Sequence, residues 1–258
     1  MRINSSIEAI ARYTLLEAVR NRLLWLTLAA ISLTMIMAVF LAQVALTEAA
    51  EFRAALLGAC LRLEAVVLVS LFVITSFARE INDKGFEMLL SLPISRADLL
   101  LGKLLGFAGL ALVIAALFGL ALSFTAPLGQ VFIWTVSLAL ELLMVTILSV
   151  LFSLTFAQIP AAMAGVLAFY ALARTMAALQ LMGKGPMQIN EGLVHDVMVS
   201  VLDGLAYMLP SLHEFTRTEW LVYHTAQWRD LPTLLGQGAV YLGLLTAAAL
   251  IDLYRKNL

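Results

Sequence analysis

Six stretches of this chain stay apolar for roughly twenty residues or more: 23–46, 56–78, 104–126, 131–158, 161–179 and 234–254. No other feature limits the fold as strongly. About twenty mainly apolar residues are what an α-helix needs to cross hydrocarbon, where each backbone N–H and C=O must find its partner inside the segment. The pattern predicts an all-α integral membrane protein with six transmembrane helices in one domain, 1–258, with neither internal repeat nor linker. Composition points the same way. Hydrophobic residues are 62% of the chain and charged residues 13%, against about 45–50% and about 25% in soluble domains. A soluble chain could not cover its surface with so few charges.

The first stretch is too long for a signal-peptide core of about 7–15 residues and follows a long charged segment, so a retained span is expected. Lys and Arg set the orientation. Arg2, Arg12, Arg20, Arg22, Arg79, Lys84, Arg96, Lys103, Arg255 and Lys256 fall on the side of the termini, and Arg53, Arg62, Lys184, Arg217 and Arg229 on the other. Ten against five predicts cytoplasmic termini.

Three extramembrane pieces have character of their own. Segment 5–22 places Ile7, Ile10, Ala11, Thr14, Leu15 and Ala18 on one helical face and Arg12, Tyr13, Glu17 and Arg20 on the other. It is expected to be an amphipathic interfacial helix with its apolar face in the acyl boundary. The cytoplasmic loop 79–103 carries eight charged residues interrupted by Phe86, Met88, Leu89 and Leu90. Pro93 should stop one helix there, and Ser95 with Asp98 should cap the next. The outer segment 180–231 is too long for a plain connection. A helix over 194–208, broken at Pro210, predicts short helices that partly re-enter the membrane before the last span.

The chain carries little chemistry of its own. The net charge is −1, which gives nucleic acid no field to follow. Cys60 is alone, and His195, His213 and His224 match no metal-ligand spacing. Lys103 and Lys184 follow no P-loop pattern, and no nucleophile elbow appears. No catalytic or metal site is expected, and any ATPase must be another chain. Ionisable residues inside spans default to function. Glu64, Glu141 and Arg174 qualify, counted into the outer half of the bilayer, with Glu141 and Arg174 able to pair across consecutive spans. They line or gate a pathway, or they form a buried structural pair; the residues alone support both.

The loop that begins at Glu80 and runs Lys84-Gly85-Phe86-Glu87-Met88-Leu89-Leu90-Ser91-Leu92-Pro93-Ile94-Ser95-Arg96, followed by Leu101-Gly102-Lys103, resembles the signature of type-2 ATP-binding-cassette (ABC) transporter permeases. Residues 14–24, 208–215 and 254–258 resemble other parts of that family. At 85–86 the chain has Gly-Phe where the family often has Gly-Thr. The resemblance implies a bacterial inner-membrane export permease that pairs with a second permease, a copy or a paralogue. It implies a cytoplasmic ABC ATPase holding ATP and Mg, with no cofactor in this chain. A coupling helix at about 80–90 would dock on that ATPase through Glu80, Lys84, Gly85, Phe86, Glu87, Leu89 and Leu90. The outer pieces around Pro210 would form a gate. The alternative is a membrane adaptor that passes ATP-driven force to an outer accessory protein without moving a substrate. A lone secondary carrier would show inverted repeats, which this sequence does not.

Overall fold

The computed structural model describes residues 2–44, 48–82, 95–156, 158–183 and 193–255. All regular structure among them is helical. The long helices are α1 (Arg2–Arg20), α2 (Leu23–Val44), α3 (Ala49–Asn82), α4 (Arg96–Leu122), α5 (Leu128–Thr155), α6 (Ile159–Gly183), α7 (Leu193–Met208) and α9 (Asp230–Arg255). Between α7 and α9 lie a 3₁₀ turn (Leu212–Glu214) and the short α8 (Glu219–Val222). Six helices, α2 to α6 and α9, are long and apolar enough to cross a membrane. The chain is therefore an all-α membrane protein. Its "near end" holds α1 and the start of α4; its "far end" holds residues 209–230.

The boundaries follow local chemistry. The Ser95 hydroxyl accepts from the Asp98 N–H at 3.0 Å, which caps α4 as the sequence predicts. That cap starts the helix eight residues before the apolar stretch at 104. Pro127 precedes α5, and Pro160 falls in the first turn of α6, where a missing N–H costs nothing. At about 1.5 Å per residue, the 34 residues of α3 reach about 51 Å, beyond a hydrocarbon core of about 30 Å. The apolar stretch 56–78 marks only the middle of this helix.

Helix α5 is the hub. It packs against α3, α4, α6, α8 and α9. Trp134, Leu138, Leu142 and Val150 along it are sealed from solvent. Helices α3 and α4 meet through Phe72 and Phe107, edge to face with centroids 6.1 Å apart. Helices α2, α6 and α9 bury the least.

Helix α1 corrects one expectation. The face carrying Ile10, Thr14, Leu15 and Ala18 packs on α4, not in the acyl boundary. The cause is a track of glycines on α4. A Cβ on Gly102 would lie 3.2 Å from the Ile7 carbonyl, and one on Gly106 only 2.7 Å from the Ala11 carbonyl and 2.6 Å from Thr14 Cβ. Small residues let two backbones approach closely, and in lipid such packing replaces the missing hydrophobic drive. Tyr13, Leu16 and Val19 face outward instead. The Ser76 hydroxyl donates to Glu17 Oε1 at 3.0 Å, fastening α1 to α3 as well.

Candidate functional site

Polar side chains gather under the far segment, where α3, α5 and α6 converge on residues 212–216. Ser137 and Glu141 stand one turn apart on α5; Tyr170 and Arg174 stand one turn apart on α6. Spacing of four puts each pair on one helical face. Glu141 is fully buried. Its Oε1 accepts from the Tyr170 hydroxyl at 2.8 Å, and its Oε2 from the Thr216 hydroxyl at 2.6 Å. Arg174 Nη1 lies 3.8 Å from Oε1. Each carboxylate oxygen thus has a hydrogen-bond donor, with a cation beside them, as a buried charge requires.

Arg174 also grips the far segment. Its Nη1 bonds the carbonyls of Leu212 and Phe215, the latter at 2.7 Å, and lies 3.3 Å from Thr216 Oγ1. Its Nη2 reaches the Thr216 carbonyl at 3.3 Å. Arg62 on α3 donates to the same carbonyl at 3.2 Å, and the Thr216 N–H donates to Ser137 Oγ at 2.9 Å. Every polar atom of Thr216 is therefore held. The residue is fully buried with φ at 42°, a left-handed conformation that a β-branched side chain rarely adopts. Such backbone persists only where its surroundings over-determine it. The planar guanidinium suits this work, since its donors fan out in a fixed fork. A second clamp lies toward α9: Gln130 on α5 exchanges two hydrogen bonds with Ala226, at 2.9 and 3.2 Å.

The sequence-stated candidates separate in space. Glu141 and Arg174 come together. Glu64 does not join them; it turns toward α2, where the Thr34 hydroxyl donates to its Oε1 and its buried Oε2 has no partner among the described residues. Its neighbour two residues back, Arg62, points the other way into the cluster. Pro210 is buried between the end of α7 and the 3₁₀ turn, and its carbonyl accepts from the Leu212 N–H at 2.7 Å. Glu141 stands at the middle of α5, thirteen residues after Leu128 and fourteen before Thr155.

Arg62, Ser137, Tyr170 and Thr216 were not singled out by sequence. Ser137 and Tyr170 had a signal, each lying four residues before an intramembrane charge. Thr216 had none, because its place depends on how the far segment folds back.

At the near end, Lys103 is 3% exposed and pairs with Glu80. Its ammonium sits 5.9 Å from the ring centroids of both Phe77 and Phe107, a distance at which ring faces attract cations. Among the proposed coupling residues, only Glu80 lies within the described residues; Lys84, Gly85, Phe86, Glu87, Leu89 and Leu90 lie outside them. No group of His, Cys, Asp and Glu that could hold a metal is gathered among the described residues.

The model of a known family, described as ABC-2 family transporter protein, matches residues 9–253. A search of curated proteins finds no match.

Proposed function

The chain belongs to the ABC-2 transporter family, and we propose that it is the permease of an exporter powered by a separate ATPase. Membership makes it a multi-pass permease subunit that works beside an ATPase subunit. The remainder is our reading. The permease sits in a bacterial inner membrane with both termini cytoplasmic, in keeping with ten cations against five. Mg-bound ATP is hydrolysed on the partner, and this chain catalyses no reaction. A second permease, a copy or a paralogue, completes the pathway.

The observation that carries the reading is the Lys103–Glu80 pair. The segment between α3 and α4 is where the family places its coupling helix. The helices on either side of it are tied by a buried ion pair and by aromatic rings packed edge to face, and α1 is locked onto α4 by close backbone contact. Force applied to residues 83–94 therefore meets a stiff frame rather than two loose helix ends. Helix α3 carries that force to Arg62, whose bond to the Thr216 carbonyl holds the far segment. Glu141 and Arg174 hold the same segment from α5 and α6. A tilt of α3 against α5 has to break or re-form this clasp, which makes it a two-state element of the kind ATP-driven gating needs.

Pull-down of tagged protein from native membranes in mild detergent tests the reading. A P-loop ATPase should co-purify, with ATP hydrolysis in the eluate, and Phe86→Asp should remove both without preventing membrane insertion. Undiminished ATPase recovery with Phe86→Asp would remove the coupling assignment. Absence of any ATPase from the wild-type eluate would remove the proposal as a whole.

A further inference from the structure

A second polar place lies apart from the clasp, on the flank of the bundle between α7 and α9. Two cavities meet there, of about 700 and 490 Å³. Both are lined by Tyr207, Ser211 and Tyr241, so they form one groove. Its floor is fixed, since the Tyr241 hydroxyl donates to the Leu209 carbonyl at 2.8 Å. Its wall is open: Tyr207 is 90% exposed and Val240 and Leu244 each 60%. On a chain that spans a membrane, this opening faces lipid.

The polar side chains at the groove present acceptors. Gln237 Oε1 is buried and has no hydrogen-bond partner among the described residues. Asp203 brings a carboxylate, with Oδ1 accepting from Gln180 Nε2 at 2.9 Å, and a carboxylate accepts several donors at once. Ser211 adds a hydroxyl. Among the described residues, no Lys or Arg lines either cavity. A buried amide oxygen without a donor costs free energy, and an occupant that donates N–H removes that cost. The depth is also informative. Gln237 lies seven residues into α9, about 10 Å along its axis, where headgroup gives way to acyl chain. Val240 and Leu244 continue the same face deeper into hydrocarbon. Gly236 has open space where a Cβ would stand, which leaves the groove its width.

We propose that this groove binds a bilayer lipid with a donor-bearing ammonium headgroup: the ammonium is held by Gln237, Asp203 and Ser211, and an acyl chain lies along Val240 and Leu244. The proposal is independent of the export reading and needs only that the chain spans a membrane. It separates two similar lipids by one chemical feature. Phosphatidylethanolamine donates three N–H bonds, whereas the trimethylated ammonium of phosphatidylcholine donates none.

The test is competitive retention, read by native mass spectrometry of detergent-purified full-length protein given equal amounts of both lipids. The wild type should retain phosphatidylethanolamine over phosphatidylcholine by about tenfold, the size of a charge-assisted hydrogen bond. Gln237→Leu should bring the ratio close to one without lowering the melting temperature, because the lost oxygen had no partner in the protein. Asp203→Asn should lower the ratio, and Gln237→Glu should keep or raise it. Equal retention by the wild type would overturn the proposal, as would an unchanged preference in Gln237→Leu. Displacement by tailless phosphoethanolamine at concentrations matching the lipid would overturn it too, because the acyl contact would then contribute nothing.

Discussion

Replacing Arg174 by Met leaves Glu141 charged and buried, and strips donors from the carbonyls of Leu212, Phe215 and Thr216. The lost attraction can be sized. Two unit charges 3.8 Å apart attract by about 4 kcal/mol at an effective dielectric of about 20. Removing one partner of a buried pair typically costs about 3–5 kcal/mol. Arg174→Met should therefore lower stability by about 3 kcal/mol or more, or roughly 6–12 °C for a chain of this size. Glu141→Gln keeps an acceptor for Tyr170 and should cost less. The double variant should cost clearly less than the two single effects together, because it leaves no unpaired charge. Unfolding of the four proteins in one detergent gives the coupling energy directly. A coupling of about 2 kcal/mol or more is expected. A value below about 0.5 kcal/mol, the scatter of independent sites, would refute the claim that Glu141 and Arg174 form one unit.

Three further outcomes follow from the geometry. Thr216→Gly should be more stable than Thr216→Ala by about 1 kcal/mol, since both lose the hydroxyl bond to Glu141 but only glycine relieves the left-handed backbone; thermal unfolding of the pair checks it. Gly106→Ala should cost about 1–3 kcal/mol through overpacking and speed proteolysis between α1 and α2, whereas Gly129→Ala, which has open space around it, should do neither. Lys103→Met should destabilise by about 3 kcal/mol while Glu80 remains, and much of that loss should return in Lys103→Met with Glu80→Gln, read by melting temperature.

The six spans were legible because hydrocarbon imposes one simple requirement on sequence: about twenty apolar residues in a row. The start of α4 was legible for an equally local reason, since a serine hydroxyl three residues ahead of an acidic first turn is a capping signal. The partner of α1 was not read. Glycines at 102, 106 and 109 look like ordinary residues within an apolar stretch, and only the folded chain shows α1 lying in their track. The clasp was half legible. A charge inside a span draws attention by its cost, so Glu141 and Arg174 were visible. Glu64 carries the same signal yet faces α2, because two residues along a helix turn a side chain to the opposite side. Thr216 became part of the site through tertiary folding alone, in a segment whose polarity resembled any connection.

The central claim is that movement at the near end reaches the clasp at the far end. The most direct measurement is the distance between spin labels at Phe52→Cys on α3 and Leu235→Cys on α9, in a Cys60→Ser background, within the complex that co-purifies with the ATPase. Both positions are about half exposed. The account expects the distance distribution to shift when nucleotide is trapped on the ATPase, and to stay fixed when Phe86→Asp uncouples the two chains. The same distribution with and without trapped nucleotide in the coupled complex would contradict it.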